Sequence, residues 1–219
     1  MCFSAEASFT SSAVLALIGY ASIKAAPSKS KLFLAAIPCF FALQQFSEGI
    51  IWLNLRGDIA PSFLTLAAQI LFLFFAYALW PIWIAFSTAV NEKVPARKGA
   101  IWLIMVLGLV AAYMNLQHMP PLEIVPQIVG HSIQYDVAAP LYKKIIYILI
   151  VLSPCFISSL RYMWLFGVLG AISSFIAQYL YDYAFTSVWC FSAAIMSFSL
   201  YLVLKANSEV ETPSHSPLK

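Results

Sequence analysis

Residues 32–55 read Leu-Phe-Leu-Ala-Ala-Ile-Pro-Cys-Phe-Phe-Ala-Leu-Gln-Gln-Phe-Ser-Glu-Gly-Ile-Ile-Trp-Leu-Asn-Leu, 24 positions with a single charged side chain, Glu48. As a helix this run is about 36 Å long, enough to cross a hydrocarbon core of about 30 Å. Similar runs recur on both sides of it. They predict spans over Ala5–Ile23, Leu32–Leu55, Ser62–Val90, Ala100–His118, Leu141–Ser159, Tyr162–Tyr181 and Thr186–Leu204. The expected fold is therefore an all-α membrane protein, a seven-transmembrane-helix bundle. Hydrophobic residues make up 62% of the 219 positions and charged ones 10%, a balance that a bilayer solvates and a soluble core does not.

The spans consume most of the chain, so residues 1–205 read as one membrane domain with no separate catalytic domain. Residues 206–219, polar and containing Pro213 and Pro217, read as a disordered cytoplasmic tail. The one long connection, Met119–Pro140, has β-branched residues on both sides of Gly130-His131. It predicts a short outer β-hairpin between the fourth and fifth helices, limited by Pro126.

Charge sets the expected orientation. Met1–Tyr20 holds no Lys or Arg, which argues against a cleavable signal, and Lys24, Lys29 and Lys31 follow the first run. With the N-terminus outside and the C-terminus inside, nine cations fall inside and three outside, Arg56, Lys143 and Lys144. The net charge of +3 thus reads as a topology signal, and no basic aromatic stripe suggests nucleic acid. Trp52 and Trp189 near the outer ends, with Trp102 and Trp164 near the inner ends, read as interfacial anchors.

In this topology the polar residues gather in the outer half. Gln44, Gln45, Glu48 and Trp52 share one helix face, because spacings of three, four and seven return to the same side. Ser174, Gln178 and Asp182 climb the sixth span, Asn115 and His118 the fourth, and Cys190 lies near the outer end of the seventh. Cys2, Ser4 and Glu6 begin at the outer surface, and the hairpin adds His131 and Asp136 as a lid. The inner half reads as nearly all apolar. A charge inside a bilayer costs roughly 2.5–3.5 kcal/mol on insertion scales, which singles out Glu48. Glu48 is then either a packing residue satisfied by its neighbours or the anchor of a cavity open to the outside. Asp182, nearer the interface, reads as a helix end or as part of that cavity.

Several chemistries lack their motif. No Cys-x-x-Cys, His-x-x-His or Glu-x-x-His spacing is present, so no metal is expected. The seventh span contains no lysine for a retinal linkage, and no Gly-rich phosphate loop or Gly-x-Ser-x-Gly elbow occurs. The sequence names no cofactor. Cys39 and Cys155 fall in the inner halves of their spans and Cys2 and Cys190 in the outer, so Cys2–Cys190 is the one pair that could form a disulfide. Pro38, Pro81 and Pro154 each remove a backbone hydrogen bond within a span, either tolerated or used to kink it.

The opening Met1-Cys2-Phe3-Ser4-Ala5, the segment Gln44-Gln45-Phe46-Ser47-Glu48-Gly49 with Trp52, and Ser187-Val188-Trp189-Cys190-Phe191 resemble a bacterial family of small seven-helix membrane proteins of unknown function. The resemblance covers the whole chain and implies no activity. It implies a bacterial inner-membrane location, and its motif residues Cys2, Ser4, Gln44, Gln45, Glu48, Trp52, Trp189 and Cys190 overlap the outer polar set.

These readings lead to an expected outward-facing small-molecule binder or sensor, with Cys2, Ser4, Gln44, Gln45, Glu48, Trp52, His118, Gln178, Asp182, Trp189 and Cys190 around its pocket. An intramembrane enzyme using Glu48 with His118 or His131 as acid and base is the first alternative. A small transporter is the second, although the halves show no repeat. Expected partners are the lipid bilayer, a small molecule, and a partner protein or second copy of the chain. Residues 1–6 are expected to fold inward, with Cys2 near Cys190 or Glu48.

Overall fold

The computed structural model describes residues 4–118, 122–135 and 140–208, without the side chains of His118, Ile195 and Ser208. Its α-helices are α1 (Ala5–Ala25), α2 (Leu32–Leu55), α3 (Phe63–Phe74), α4 (Trp80–Asn91), α5 (Pro95–His118), α6 (Leu141–Ile157), α7 (Met163–Leu180), α8 (Phe185–Met196) and α9 (Phe198–Ser208). A π-helical turn, Phe75–Leu79, joins α3 to α4, so these form one rod. α8 and α9 form another, broken at Ser197, and the rods number seven among the described residues. Six of these are long and apolar enough to cross a membrane. The remaining one, α6, has 17 residues and stops early, because Ser158 turns to extended backbone just after Pro154.

Burial identifies the middle of the bundle. α2 packs against α1, α3, α4, α8 and α9, and α1 against α9 closes the ring. About 72% of the apolar window of α2 is buried, against 22% in α1 and 17% in α5. Outward faces present Leu17, Leu103, Leu149 and Phe175, as hydrocarbon-facing surfaces do. Glycine permits the closest approaches. A methyl group on Gly49 would lie 2.7 Å from the Phe9 ring, and one on Gly108 would collide with the Pro81 carbonyl.

The π turn has a local cause. Pro81 has no N–H to give the Tyr77 carbonyl, its partner in an α-helix. One residue earlier, Trp80 N–H bonds Phe75 O rather than Ala76 O. Two carbonyls are thereby freed in the middle of a span, where each must find another donor. Tyr147 OH donates to Ala76 O, and Asn115 Nδ2 donates to Tyr77 O at 3.2 Å. At the break between α8 and α9, Ser197 N–H is shared between the Ala193 and Ala194 carbonyls, and Ser197 Oγ donates to Ala194 O at 2.7 Å.

The hairpin forms from β1 (Pro126–Val129) and β2 (Ser132–Tyr135), antiparallel, with Pro126 opposite Tyr135 and Val129 opposite Ser132. Gly130 has φ +60°, as the first central position of a type II′ turn requires. β1 is largely exposed, whereas Ser132, Ile133 and Tyr135 of β2 are buried. Tyr135 stacks on Phe72 of α3 with ring centroids 4.7 Å apart, and Gln69 Nε2 donates to Ile124 O at 2.6 Å. The hairpin is thus fixed to one end of the bundle, termed here the hairpin end.

Other boundaries shift from those expected. α5 starts at Pro95 rather than Ala100, since proline suits a first helical turn and Lys98 N already bonds Val94 O. α9 continues past Leu204 to Ser208, because Asn207 Nδ2 bonds Val203 O and the turn keeps a partner. Trp52 and Trp189 are not interfacial anchors: both are buried, since α2 and α8 turn these faces toward the bundle interior.

Candidate functional site beneath the hairpin

The polar face of α2 meets α8 and α4 in the interior. Gln44, Gln45 and Glu48 are fully buried, as is Ser187. Ser187 Oγ donates to Glu48 Oε1 at 2.6 Å, and Gln45 Nε2 lies 3.5 Å from Glu48 Oε2. One turn along, Trp80 Nε1 donates to Gln44 Oε1 at 2.9 Å, and Gln44 Nε2 donates to Cys190 Sγ at 3.3 Å. α2, α4 and α8 are therefore tied by hydrogen bonds in a region closed to water, where an unmet polar group is costly. Gln45 Oε1 and Trp52 Nε1 are enclosed with no hydrogen-bond partner among the described residues.

Above this chain, toward the hairpin, lies a cavity of about 630 Å³, within the range of small-molecule sites. Tyr77, Asn115, Tyr147, Thr186, Trp189 and Cys190 line its depth, β2 covers it through Ile133 and Tyr135, and Lys144 and Tyr183 stand at its rim. Tyr77 OH and Thr186 Oγ1 are 3.2 Å apart. At the rim Lys144 Nζ pairs with Asp182 Oδ1 at 2.6 Å, and Gln178 Nε2 donates to the same oxygen at 2.5 Å. Cys190 belongs to both features: it lines the cavity and accepts from Gln44.

The expected site residues divide accordingly. Trp189 and Cys190 line the cavity, and Gln178 and Asp182 brace its rim. Gln44, Gln45 and Glu48 lie behind the cavity wall, and Trp52 is buried among apolar residues including Ile51 and Phe72. Ser4 caps α1, accepting from Ala7 N at 3.2 Å. His131 occupies the hairpin turn beside Gly130. Cys2 and Asp136 lie outside the described residues, as does the His118 side chain, while Cys190 carries a free thiol. No metal-ligating group of three or more side chains occurs among the described residues.

Sequence reasoning passed over Tyr77, Tyr147 and Thr186. A signal was present: Pro81 within a span frees the carbonyl four residues before it, which is that of Tyr77. The opposite end is also not apolar. Ser159 N and Oγ donate to Glu92 at 2.6 and 2.5 Å, Ser158 Oγ at 3.2 Å and Val94 N at 2.9 Å. Lys31 Nζ donates to Asn207 O at 2.8 Å, and Asn207 exchanges hydrogen bonds with the Arg161 backbone. By sequence these residues are scattered over loops, the end of the fifth span (Ser158 and Ser159) and the tail (Asn207), and only packing makes them one cluster.

Six membrane-length helices around a buried polar axis define a polytopic helical membrane protein. The chain belongs to a family of unknown function, DUF6629, whose family model matches residues 1–215. No curated protein and no solved structure matches it.

Proposed function

We propose that this protein is an outward-facing small-molecule binder or sensor of the bacterial inner membrane, with seven spans, its N-terminus outside and its C-terminus inside. The observation that carries this reading is the cavity of about 630 Å³ under the hairpin, lined by tyrosine, threonine, asparagine and a thiol. A largely apolar wall with a few convergent polar groups is the usual composition of a ligand site. The excess of cations on the loops opposite the hairpin supports the orientation.

The sensor part of the reading rests on connectivity. α8 carries Thr186, Trp189 and Cys190 at the cavity, and α9 continues the same rod to Asn207 at the opposite end. A ligand that moves Cys190 also acts on Gln44 and through it on α2. The Ser197 break is the place where this rod can bend. The acid–base alternative finds less support, because the Glu48 carboxylate is enclosed behind the cavity wall.

The test is a thermal-shift screen of detergent-purified full-length protein against a small-molecule library, repeated on Ala111→Phe, which fills the cavity from α5. Compounds that stabilise the parent and lose their effect in Ala111→Phe support the reading. A library without such compounds counts against it.

A further inference from the structure

The cavity is polar in its depth and apolar at its side. In its depth, Tyr77 OH and Thr186 Oγ1 form one hydrogen bond with each other. Two hydroxyls carry two hydrogens, and that bond uses one. The second hydroxyl hydrogen has no acceptor among the described residues, and both side chains line the cavity. The site therefore offers a donor to an acceptor atom of a ligand. Two lysines line the cavity: Lys144 is already neutralised by Asp182, and Lys143 is exposed on the first turn of α6, so the depth does not call for an anionic group.

The side wall points elsewhere. Met114 of α5 and Ile146 of α6 line the cavity yet are about half exposed, and Tyr142 is exposed beside them. Far from the hairpin, α5 and α6 pack together: Ile101 is fully buried against α4, and Met105 and Ile157 are partly buried against the same cluster. Near the hairpin, the cavity lies between them. By helical rise, Met114 is about 6 Å from the end of α5 and Ile146 about 7.5 Å from the start of α6. This opening faces sideways, below the helix ends, where acyl chains surround the bundle.

We infer that the cavity is reached laterally from the bilayer, between α5 and α6, and takes an amphipathic lipid with a neutral carbonyl or ester head. The head accepts a hydrogen bond from the Tyr77–Thr186 pair, and the tail leaves past Met114 and Ile146 into the membrane. This deepens the binder reading and rests on it.

The experiment uses the full-length protein in lipid nanodiscs and a monoacylglycerol with a diazirine in its acyl chain. After irradiation, labelled residues are located by mass spectrometry. Label is expected at Met114, Ile146 and the Trp189–Cys190 segment, and excess unmodified monoacylglycerol should remove it. Ile146→Trp, alone and with Met114→Trp, should lower this label about 5-fold or more, and Tyr77→Phe with Thr186→Val about 5–10-fold, the worth of about one hydrogen bond. Label on the outward residues Leu103 and Phe175 should stay constant, which also reports that the variants are folded. Label confined to Leu103 and Phe175, or cavity label indifferent to the Ile146 and Met114 variants, overturns the inference. If a water-soluble compound is meanwhile displaced by Ala111→Phe, lateral access fails alone and the binder reading stands. If neither lipid nor library compound enters, both fail.

Discussion

Ser187 Oγ donates to Glu48 Oε1 at 2.6 Å, joining α8 to α2 across 139 positions of sequence. Both side chains are fully buried, so the bond cannot be replaced by water. Losing one partner of such a pair costs roughly 1–3 kcal/mol, although membrane-buried hydrogen bonds average nearer 0.6 kcal/mol. Ser187→Ala is expected to destabilise the protein by about 1–2 kcal/mol in detergent unfolding, within these bounds. In a double-mutant cycle with Glu48→Gln, the coupling should reach about 0.5 kcal/mol or more, as for groups in contact. Additive effects would mean that the two side chains do not act as a pair.

The π turn gives a second expectation. Asn115 Nδ2 answers the Tyr77 carbonyl that Pro81 leaves without a backbone donor. Asn115→Leu should therefore cost about 1 kcal/mol, and the cost should shrink in a Pro81→Ala background, where residue 81 again has an N–H. Tyr147→Phe, which removes the donor to Ala76 O, should cost a similar amount. Equal losses for Asn115→Leu with and without Pro81 would refute the account of the bulge.

How far the sequence could be read follows from these same residues. The rods were legible because apolar runs such as Leu32–Leu55 outlast a bilayer's thickness, and the hairpin because Gly130 stands between β-branched strands. The buried face of α2 was legible too, since Gln44, Gln45 and Glu48 recur at helical spacing. What stayed hidden depends on long-range packing. Tyr77 reads as one more aromatic until Thr186 is placed 3.2 Å from it, and Glu92 reads as a loop charge until Ser158 and Ser159 enclose it. Trp52 and Trp189 look like interface anchors by position along the span, and only the rotation of α2 and α8 shows them turned inward.

Glu92 makes stability at the opposite end depend on pH. Burial alone would raise its carboxyl pKa, but hydrogen bonds from Ser159, Val94 and Ser158 outweigh this and hold it below the ordinary 4.5. Lys31 and Lys93 line the same small cavity. The sign follows from linkage: a group with a depressed folded pKa stabilises fully above its unfolded value and loses that contribution as pH falls through the folded one. The melting temperature should hold above pH 4.5 and then fall, more steeply in the parent than in Glu92→Gln. Other carboxylates leave the variant a residual slope. Identical acid profiles for the two proteins would remove Glu92 from this role.

The proposed orientation makes the sharpest claim about the whole molecule, because the outward-facing reading depends on it. Lys93 lies on the α4–α5 connection, Arg97 and Lys98 in the first turn of α5 and Arg161 on the α6–α7 connection, all opposite the hairpin, while Lys143 and Lys144 stand at the hairpin end. Cations close to spans are retained in the cytoplasm, so the hairpin end should face outward. A reporter active only in the cytoplasm is expected to work when fused after Lys219 and to fail when inserted at Gly130-His131. A reporter active only after export should give the opposite pair of results. α6 is the rod to watch, since its 17 residues reach only about 26 Å and its first turn holds two lysines. If α6 does not cross, fusions after Ser159 and within the hairpin will report the same side. If the hairpin reporter is cytoplasmic, the cavity opens toward the cell interior and the outward-facing proposal is wrong.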